Sequence, residues 1–230
     1  MARIDTLLFD LDGTLVDSID LIIEGFYRIW EQNFSYRPDR ADIVKTIGIL
    51  IDNAMHQLIN AGVRERRITL IEEQHLVVKR LLDEYREYYI ECHDKLIRPF
   101  PNVNEVLAEL RQRGYRIGVV TSKRRMGADR SMRVFGLDLL VDCVVAAEDT
   151  DKHKPDPAPI LRGMEMLNST PATTAYIGDS THDMIAGKRA GVFTVAALWG
   201  PFDADELKAI EPNQTALSPN ALLNCFESRL

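Results

Sequence analysis

Hydrophobic positions follow two different spacings along this chain. Ile4–Leu15 opens as a short apolar run, typical of a buried strand, and the run breaks at Gly13. From Ser18 to Asn33 the apolar residues recur at helical spacing, which predicts an amphipathic helix. Because residues 17–93 contain no convincing strand pattern, we predict that this whole block is helical.

Further helices are expected within this block. Two are short, at 40–46 and 51–60, and one is longer. Thr69 and Glu72 have the spacing of a capping box, in which two side chains satisfy free backbone N–H groups at a helix start. We therefore expect the long helix to open at Thr69.

The pattern changes after the prolines at positions 99 and 101. Asn102 and Glu105 again have capping-box spacing and predict the start of a helix. Beyond this helix, strand and helix patterns alternate. The predicted strands are 115–122, 142–147, 174–177 and 194–198. The predicted helices are 124–135, 156–167, 181–190, 203–210 and 219–228.

This alternation predicts an α/β fold with a mainly parallel sheet flanked by helices. The first apolar run belongs to the same sheet, so the helical block interrupts it. We therefore expect a core domain made of residues 1–16 and 94–230, and an inserted all-helical domain made of residues 17–93.

Composition narrows the class of partner. The 230 residues carry a formal net charge of −7 and are 46% hydrophobic and 27% charged, as in ordinary globular proteins. An acidic chain argues against a nucleic acid or an anionic membrane as its partner. Three widely spaced cysteines, no signal-peptide pattern and no membrane-length apolar stretch predict a soluble cytoplasmic protein.

Acidic residues stand at the ends of two predicted strands. Asp10 and Asp12 close the first apolar run, and Asp179 follows the strand at 174–177. In an extended chain residues i and i+2 point to one side, so the first two acids are expected to face one pocket. Ligands of parallel sheets bind beyond the carboxyl ends of the strands, and Mg²⁺ is held by a few carboxylates. We predict a Mg²⁺ site formed by Asp10, a backbone carbonyl near Asp12, and Asp179.

Asp183 lies one helical turn beyond Asp179 and is a further candidate metal ligand. A structural interpretation is equally favoured, because Ser180 and Asp183 have capping-box spacing. For Asp10 no helix follows that the side chain would cap, and a catalytic role is favoured.

Asp10 is also the candidate nucleophile, because a carboxylate can attack phosphorus to give an aspartyl-phosphate. Asp12 would then act as a general acid that protonates the leaving oxygen and later as a base that activates water. Two neighbouring carboxylates in different surroundings can divide such roles.

Candidate phosphate-binding groups follow other strands. Lys154 precedes a helix start fixed by prolines and can offset the negative charge of the site, although a single lysine is more often a solvated surface residue. Thr121 and Ser122 offer hydroxyl and backbone N–H groups to a phosphate, although such a pair more often caps the following helix.

Four segments in order resemble the motifs of the haloacid dehalogenase superfamily, in its phosphatase branch. Asp10-Leu11-Asp12-Gly13-Thr14 is similar to the first motif, Thr121 to the second and Lys154-Pro155 to the third. The acidic fourth motif is similar to Gly178–Asp183. The resemblance covers essentially the whole chain.

This resemblance implies a Rossmann-like core with a helical cap inserted after the first motif. It implies Asp10 as nucleophile, Asp12 as acid and base, and Thr121 and Lys154 on the phosphate. It also implies Mg²⁺ held by Asp10, the Asp12 carbonyl and Asp179, with support from Asp183. Dehalogenase members lack the second acid of the first motif, so Asp12 favours phosphoryl chemistry.

We therefore expect a Mg²⁺-dependent phosphohydrolase that acts through an aspartyl-phosphate on a small phosphorylated metabolite. Within the branch the chain is similar to phosphoglycolate phosphatases and bacterial pyrophosphatases. A phosphosugar mutase, a dehalogenase and a non-catalytic phosphate-binding protein remain as alternatives. The expected partner is a small phosphorylated substrate, with the chain a monomer or homodimer.

Overall fold

A computed structural model of the protein describes residues 3–226. It divides the chain into two compact units. The first contains the chain up to Asp17 and the chain from Arg98 onward, and the second is Ser18–Ile97. The expected second boundary, between residues 93 and 94, instead falls inside a helix that continues to Leu96. The assignment of the second unit as a cap stays a prediction.

All strands among the described residues belong to the first unit. They are β1 (Thr6–Phe9), β2 (Val16–Asp17), β3 (Arg98–Pro99), β4 (Arg116–Val120), β5 (Cys143–Val145), β6 (Thr174–Gly178), β7 (Phe193–Ala197) and β8 (Gln214–Ala216). Six of them form one sheet in the order β5-β4-β1-β6-β7-β8. Every pairing in this described sheet is parallel. The predicted α/β class with a mainly parallel sheet is confirmed.

β1 occupies the middle of the sheet between β4 and β6. All four of its residues are buried, because helices cover both faces of a parallel sheet. In register, Phe9 lies beside Val119 of β4 and Ile177 of β6. The carboxyl ends of the three strands therefore meet at one edge, and the residues that follow them are neighbours.

Four consecutive helices lie between β2 and β3, and from β3 onward helices alternate with the strands. They are α1 (Ile19–Phe34), α2 (Arg40–Val44), α3 (Ile51–Arg64), α4 (Gln74–Leu96), α5 (Val103–Gln112), α6 (Arg125–Val134), α7 (Ala158–Met166), α8 (Thr181–Ala190), α9 (Ala204–Ala209) and α10 (Leu222–Cys225). None of the helices within residues 3–226 has the length and apolar character that a membrane crossing requires.

The second unit consists of α1 to α4 and contains no strand among its described residues. The apolar stripe of α1 is buried as its spacing predicts, with Phe26, Ile29 and Trp30 at most 1% exposed. α1 ends where Ser35 adopts a left-handed conformation, with φ 51°.

Two predicted capping boxes do not form. α4 begins at Gln74 rather than Thr69, with Glu73 at its N-cap. Asn102 precedes α5, but its φ of 64° is left-handed and its side chain makes no capping hydrogen bond. The extended N-cap conformation that a capping box needs is therefore absent at Asn102.

Some short strands are missed by the sequence patterns. β2 and β3 pair antiparallel, Val16 with Pro99 and Asp17 with Arg98. This pairing connects the two chain segments of the first unit, at the points where the chain leaves that unit and returns to it. β8 also escapes prediction, because three residues are too few to show an alternating pattern. The predicted helix 219–228 divides into a 3₁₀ turn and α10, and its end lies outside the described residues.

Candidate active site

Loops that follow β1, β4, β5 and β6 lie at the carboxyl edge of the sheet and carry the candidate residues. Asp10 follows β1 directly, and its backbone N–H donates to the carbonyl oxygen of Ile177 at 2.9 Å. Asp179 follows β6. One carboxylate oxygen from each of Asp10, Asp179 and Asp183 lies within 4.8 Å of the others, and all three side chains are buried. The parallel register thus brings together acids that are far apart in sequence.

Lys154 lies among these carboxylates. Its Nζ donates to Oδ1 of Asp10 at 2.8 Å and to Oδ1 of Asp183 at 2.6 Å. The lysine is only 3% exposed, so the alternative of a solvated surface residue is wrong. The Lys154–Pro155 peptide bond is cis. A buried ammonium of this kind offsets negative charge that would otherwise be costly to bury.

Asp183 forms the predicted helix cap and also contacts Lys154, whereas its role as a metal ligand stays a prediction. Its Oδ2 accepts hydrogen bonds from the N–H and the hydroxyl of Ser180, and the Ser180 hydroxyl accepts from the N–H of Asp183. This is the capping box of α8. Its Oδ1 meanwhile accepts from Lys154. The helix cap therefore fixes a carboxylate that also orients the lysine.

Tyr176 is a member of the cluster that the sequence patterns miss. Its hydroxyl lies 2.9 Å from Oδ1 of Asp183 and 3.2 Å from both Nζ of Lys154 and the carbonyl oxygen of Val120. The side chain is fully buried in β6. Its place in an apolar strand gives it the appearance of a core residue, and only the structure shows the polar contacts.

Asp179 is enclosed by small residues. Ideal Cβ atoms built on Gly13 and Gly200 would lie 2.2 Å from its Oδ2 and 2.4 Å from its Cβ, respectively. Oδ1 accepts from the hydroxyl of Thr14 at 2.7 Å. Oδ2 has no hydrogen-bond partner among the described residues. A buried carboxylate oxygen without a donor is costly, and a bound cation would relieve that cost.

The pKa values of the three buried carboxyl groups also favour a bound cation. Burial is the largest cause that raises the pKa of Asp10, to about 7, with nearby carboxylates adding to it against the opposing charge of Lys154. Burial, together with the charges of Asp183 and Asp10, also raises the pKa of Asp179 well above its ordinary value. The pKa of Asp183 is lowered, because Lys154 and Ser180 outweigh its burial. The cluster thus contains three carboxyl groups and one ammonium group, that of Lys154. A single positive charge does not balance three negative charges.

The donor set fits a hard divalent cation. Mg²⁺ prefers carboxylate and carbonyl oxygens and is held by one or two carboxylates beside the substrate phosphate. Asp10 and Asp179 offer such oxygens within 4.8 Å of each other. The unpartnered Oδ2 of Asp179 is the oxygen that the protein leaves open to a cation.

Asp12 lies beyond a bend that follows β1, and its side chain pairs with Lys123. β1 ends at Phe9 and the chain bends at Leu11, so the extended geometry expected through Asp12 is wrong. Its Oδ1 instead accepts from Nζ of Lys123 at 2.7 Å. Both side chains are only slightly exposed, at 15% and 10%. Asp12 is still close enough for its charge to raise the pKa of Asp10.

Thr121 and Ser122 follow β4 at the same edge. Thr121 is buried, and its hydroxyl oxygen accepts from the backbone N–H of Lys123 at 3.1 Å. Neither residue caps α6, because that helix has Arg124 at its N-cap. The capping alternative is therefore wrong, and the predicted contact with phosphate stays a prediction.

Comparisons with known proteins show which proteins this chain is similar to. A family model described as haloacid dehalogenase-like hydrolase matches residues 7–197. The pyrophosphatase PpaX of Bacillus mycoides is 33% identical over 211 residues, which cover 92% of this chain and 91% of that protein. The pyrophosphatase PpaX of Halalkalibacterium halodurans is 31% identical over 222 residues and 96% of both chains.

A solved structure from Haemophilus somnus, described as a predicted phosphoglycolate phosphatase, has a TM-score of 0.87 to this chain. It is 24% identical and the match covers 97% of this chain and 98% of that one. At this identity the likeness shows the fold.

Proposed function

Because the chain belongs to the haloacid dehalogenase-like hydrolase family, we propose that it is a Mg²⁺-dependent phosphohydrolase that forms an aspartyl-phosphate on Asp10. The predicted membership of this family, in its phosphatase branch, is confirmed. The chain is therefore a phosphatase, whereas its metal, its intermediate and its substrate are our proposal. The cytoplasmic location stays a prediction.

One observation carries the proposal. Lys154 Nζ lies 2.8 Å from Asp10 Oδ1, and Asp10 lies within 4.8 Å of an oxygen of Asp179. A carboxylate at the end of a central strand is thus held beside a fixed cation and a cluster of acids that could hold a metal ion. This arrangement suits a nucleophile that must meet an anionic phosphate, because positive charge has to offset their repulsion.

The first chemical step uses Asp10 and Asp12. A carboxylate oxygen of Asp10 attacks the phosphorus in line, and the bond from phosphorus to the leaving oxygen breaks. Asp12, in its protonated form, donates its proton to that oxygen. The ammonium of Lys123 donates to Oδ1 of Asp12 at 2.7 Å and fixes the position of this carboxyl group.

The second step returns the enzyme to its starting state. Asp12, now ionised, takes a proton from a water molecule that attacks the phosphorus of the aspartyl-phosphate. The bond between phosphorus and the Asp10 oxygen breaks, which releases inorganic phosphate and leaves the carboxylate. Lys154 keeps its contact with Asp10 and offsets charge throughout.

Asp10, Asp179 and the backbone carbonyl of Asp12 would hold Mg²⁺. When bound, the ion supplies charge neutralisation between the attacking carboxylate and the phosphate. We assign Asp183 a supporting role, since its two oxygens already accept from Lys154, Tyr176 and Ser180. Thr121 and Ser122 would bind the phosphate oxygens from the loop after β4.

The substrate class is a small phosphorylated metabolite. Relatives at 31% and 33% identity are named pyrophosphatases, so pyrophosphate is the first substrate to test. A phosphoglycolate-like monoester is the second, because the chain has the fold of a structure described as a phosphoglycolate phosphatase.

The test measures the release of inorganic phosphate from a panel of phosphorylated metabolites, with Mg²⁺ and with a chelator. Wild type should release phosphate only with Mg²⁺. Asp10→Asn should lose more than about 10³-fold in kcat, since removal of a nucleophile abolishes the covalent route. Full activity of Asp10→Asn would exclude Asp10 as the nucleophile.

Asp20→Asn provides a matched control for the Asp10 variant. Its side chain is 76% exposed, in an ion pair with Arg40 in the second unit. The same change at this position should leave the rate close to wild type.

A further inference from the structure

Trp199 lies in the turn that follows β7 and reaches across to the loop that follows β1. Its indole Nε1 donates a hydrogen bond to the backbone carbonyl oxygen of Thr14 at 2.9 Å. The hydroxyl of Thr14 in turn donates to Oδ1 of Asp179 at 2.7 Å. Trp199 is thus connected to a candidate metal ligand through one intervening residue.

The neighbouring residue gives a second contact from the same turn. A Cβ built on Gly200 would lie 2.4 Å from the Cβ of Asp179, so the backbone of the turn packs directly against this carboxylate. The residue before Thr14 contributes on another side, since a Cβ on Gly13 would lie 2.2 Å from Oδ2. The two loops together leave Asp179 little freedom to move.

The direction in which Asp179 points depends on these contacts. Oδ1 is held by Thr14, which leaves Oδ2 as the oxygen without a partner among the described residues. A shift of the Thr14 backbone would release Oδ1 and let the carboxylate rotate. Outer contacts that orient a ligand in this way usually change metal affinity when they are removed.

We propose that Trp199 is a positioning residue for the metal site, which fixes the Thr14 loop and thereby aims Oδ2 of Asp179 at the cation. This inference rests on the proposed function in one respect, namely that Asp179 is a metal ligand. It goes beyond that function because it assigns a role to a residue that acts on Asp179 through Thr14. The indole N–H is the group that does the positioning.

The experiment uses Mn²⁺ as the probe and measures free Mn²⁺ by electron paramagnetic resonance in titrations of the whole, substrate-free protein. Trp199→Phe keeps an aromatic ring but removes the donor. Its dissociation constant for Mn²⁺ should rise by about 10-fold or more relative to wild type. The Mg²⁺ concentration for half-maximal phosphate release should rise by a similar factor.

Trp199→His separates the hydrogen bond from the packing. The neutral imidazole can place an N–H close to the position of the indole N–H while it removes most of the ring. At pH 8 this variant should bind Mn²⁺ more tightly than Trp199→Phe. Binding no tighter than that of Trp199→Phe would overturn the role of the N–H.

Trp30→Phe is the matched control. Trp30 is fully buried in the second unit, and its Nε1 has no hydrogen-bond partner among the described residues. The same change from indole to phenyl therefore removes packing without removing a hydrogen bond. It should lower the melting temperature and leave the Mn²⁺ dissociation constant within about twofold of wild type.

Thr14→Val tests whether Trp199 acts through Thr14. If it does, the double variant Thr14→Val/Trp199→Phe should bind Mn²⁺ about as weakly as Thr14→Val alone. Multiplied losses in the double variant would overturn the inference. So would a Trp199→Phe protein that binds Mn²⁺ like wild type. A wild type that binds no Mn²⁺ would instead refute the metal site itself, which separates the two failures.

Discussion

The ammonium of Lys154 lies 2.6 Å from Oδ1 of Asp183, across a sequence separation of 29 residues. Both side chains are at most 1% exposed. Asp183 is held by the cap of α8, so the first turn of that helix sets where the lysine points. The same lysine then reaches Asp10 at 2.8 Å. A structural helix cap and a candidate catalytic contact therefore depend on one carboxylate.

Replacement of Lys154 should destabilise the protein strongly. Lys154→Met leaves Asp10 and Asp183 buried without their cation, and loss of one partner of a buried pair costs roughly 3–5 kcal/mol. Urea unfolding at pH 8 without divalent cations measures this. Lys152→Met is the control, because that lysine is 73% exposed and should change stability by less than about 0.5 kcal/mol. Equal effects in the two variants would contradict the buried pairing.

Asp10→Asn should stabilise the metal-free protein, and by an amount that depends on pH. Burial, together with nearby carboxylates, raises the folded-state pKa of Asp10 from 3.8 to about 7. The stability that goes with the protonated form is complete below pH 3.8 and is lost as pH rises towards 7, because the unfolded chain ionises first. Asparagine does not ionise, so the Asp10→Asn protein does not lose this stability as the pH rises.

The free energy of unfolding of Asp10→Asn and wild type should therefore agree near pH 4 and diverge up to about pH 7. At pH 8 in a chelator the free energy of unfolding of the variant should exceed that of wild type by on the order of 4 kcal/mol. Urea unfolding across this pH range measures the difference. A difference that does not change with pH would show that Asp10 is not the buried acid described here.

The sequence predicts those site residues whose position follows from strand topology. Asp10 and Asp179 each end an apolar strand, and parallel strands end at the same edge. Lys154 is recognisable because it precedes a helix start that is fixed by prolines. Asp183 is recognisable because it has capping-box spacing. Periodicity and turn chemistry are local signals, and these four residues carry them.

Other contacts of the site have no local signal. Tyr176 lies in an apolar strand, so the pattern predicts a core residue. Its hydroxyl contacts Lys154 only in the folded structure. Trp199 contacts a backbone carbonyl, which any residue type can provide. The pairing of Asp12 with Lys123 depends on a bend at Leu11 that the extended pattern does not predict. Such contacts follow from the tertiary structure alone.

Tyr176→Phe should lower kcat with little change in KM. The hydroxyl contacts both Lys154 and Asp183, so its removal loosens the lysine but leaves the substrate-binding loops in place. A lost buried hydrogen bond costs about 1–2 kcal/mol, which corresponds to a fall in kcat of roughly 5–30-fold if all of it is expressed in the transition state. Steady-state kinetics of phosphate release measure both constants. A rise in KM with kcat unchanged would contradict this role.

Gly13→Ala and Gly114→Ala form a matched pair that separates backbone strain from displacement of Asp179. Both glycines have φ near +88°, so alanine at either position costs about 1 kcal/mol in strain. An added Cβ at Gly114 meets nothing within 4 Å, whereas at Gly13 it would lie 2.2 Å from Oδ2 of Asp179. Gly114→Ala should therefore lose only stability.

Gly13→Ala should lose stability and should also need a higher Mg²⁺ concentration for activity, because Asp179 must move away from the added methyl group. Urea unfolding and Mg²⁺ titrations of phosphate release on both variants measure the two effects. If Gly13→Ala kept the Mg²⁺ dependence of Gly114→Ala, the position of Asp179 between the two loops would not govern metal binding. If only Gly13→Ala changed it, the loop after β1 would act on the metal through Asp179 rather than through general stability.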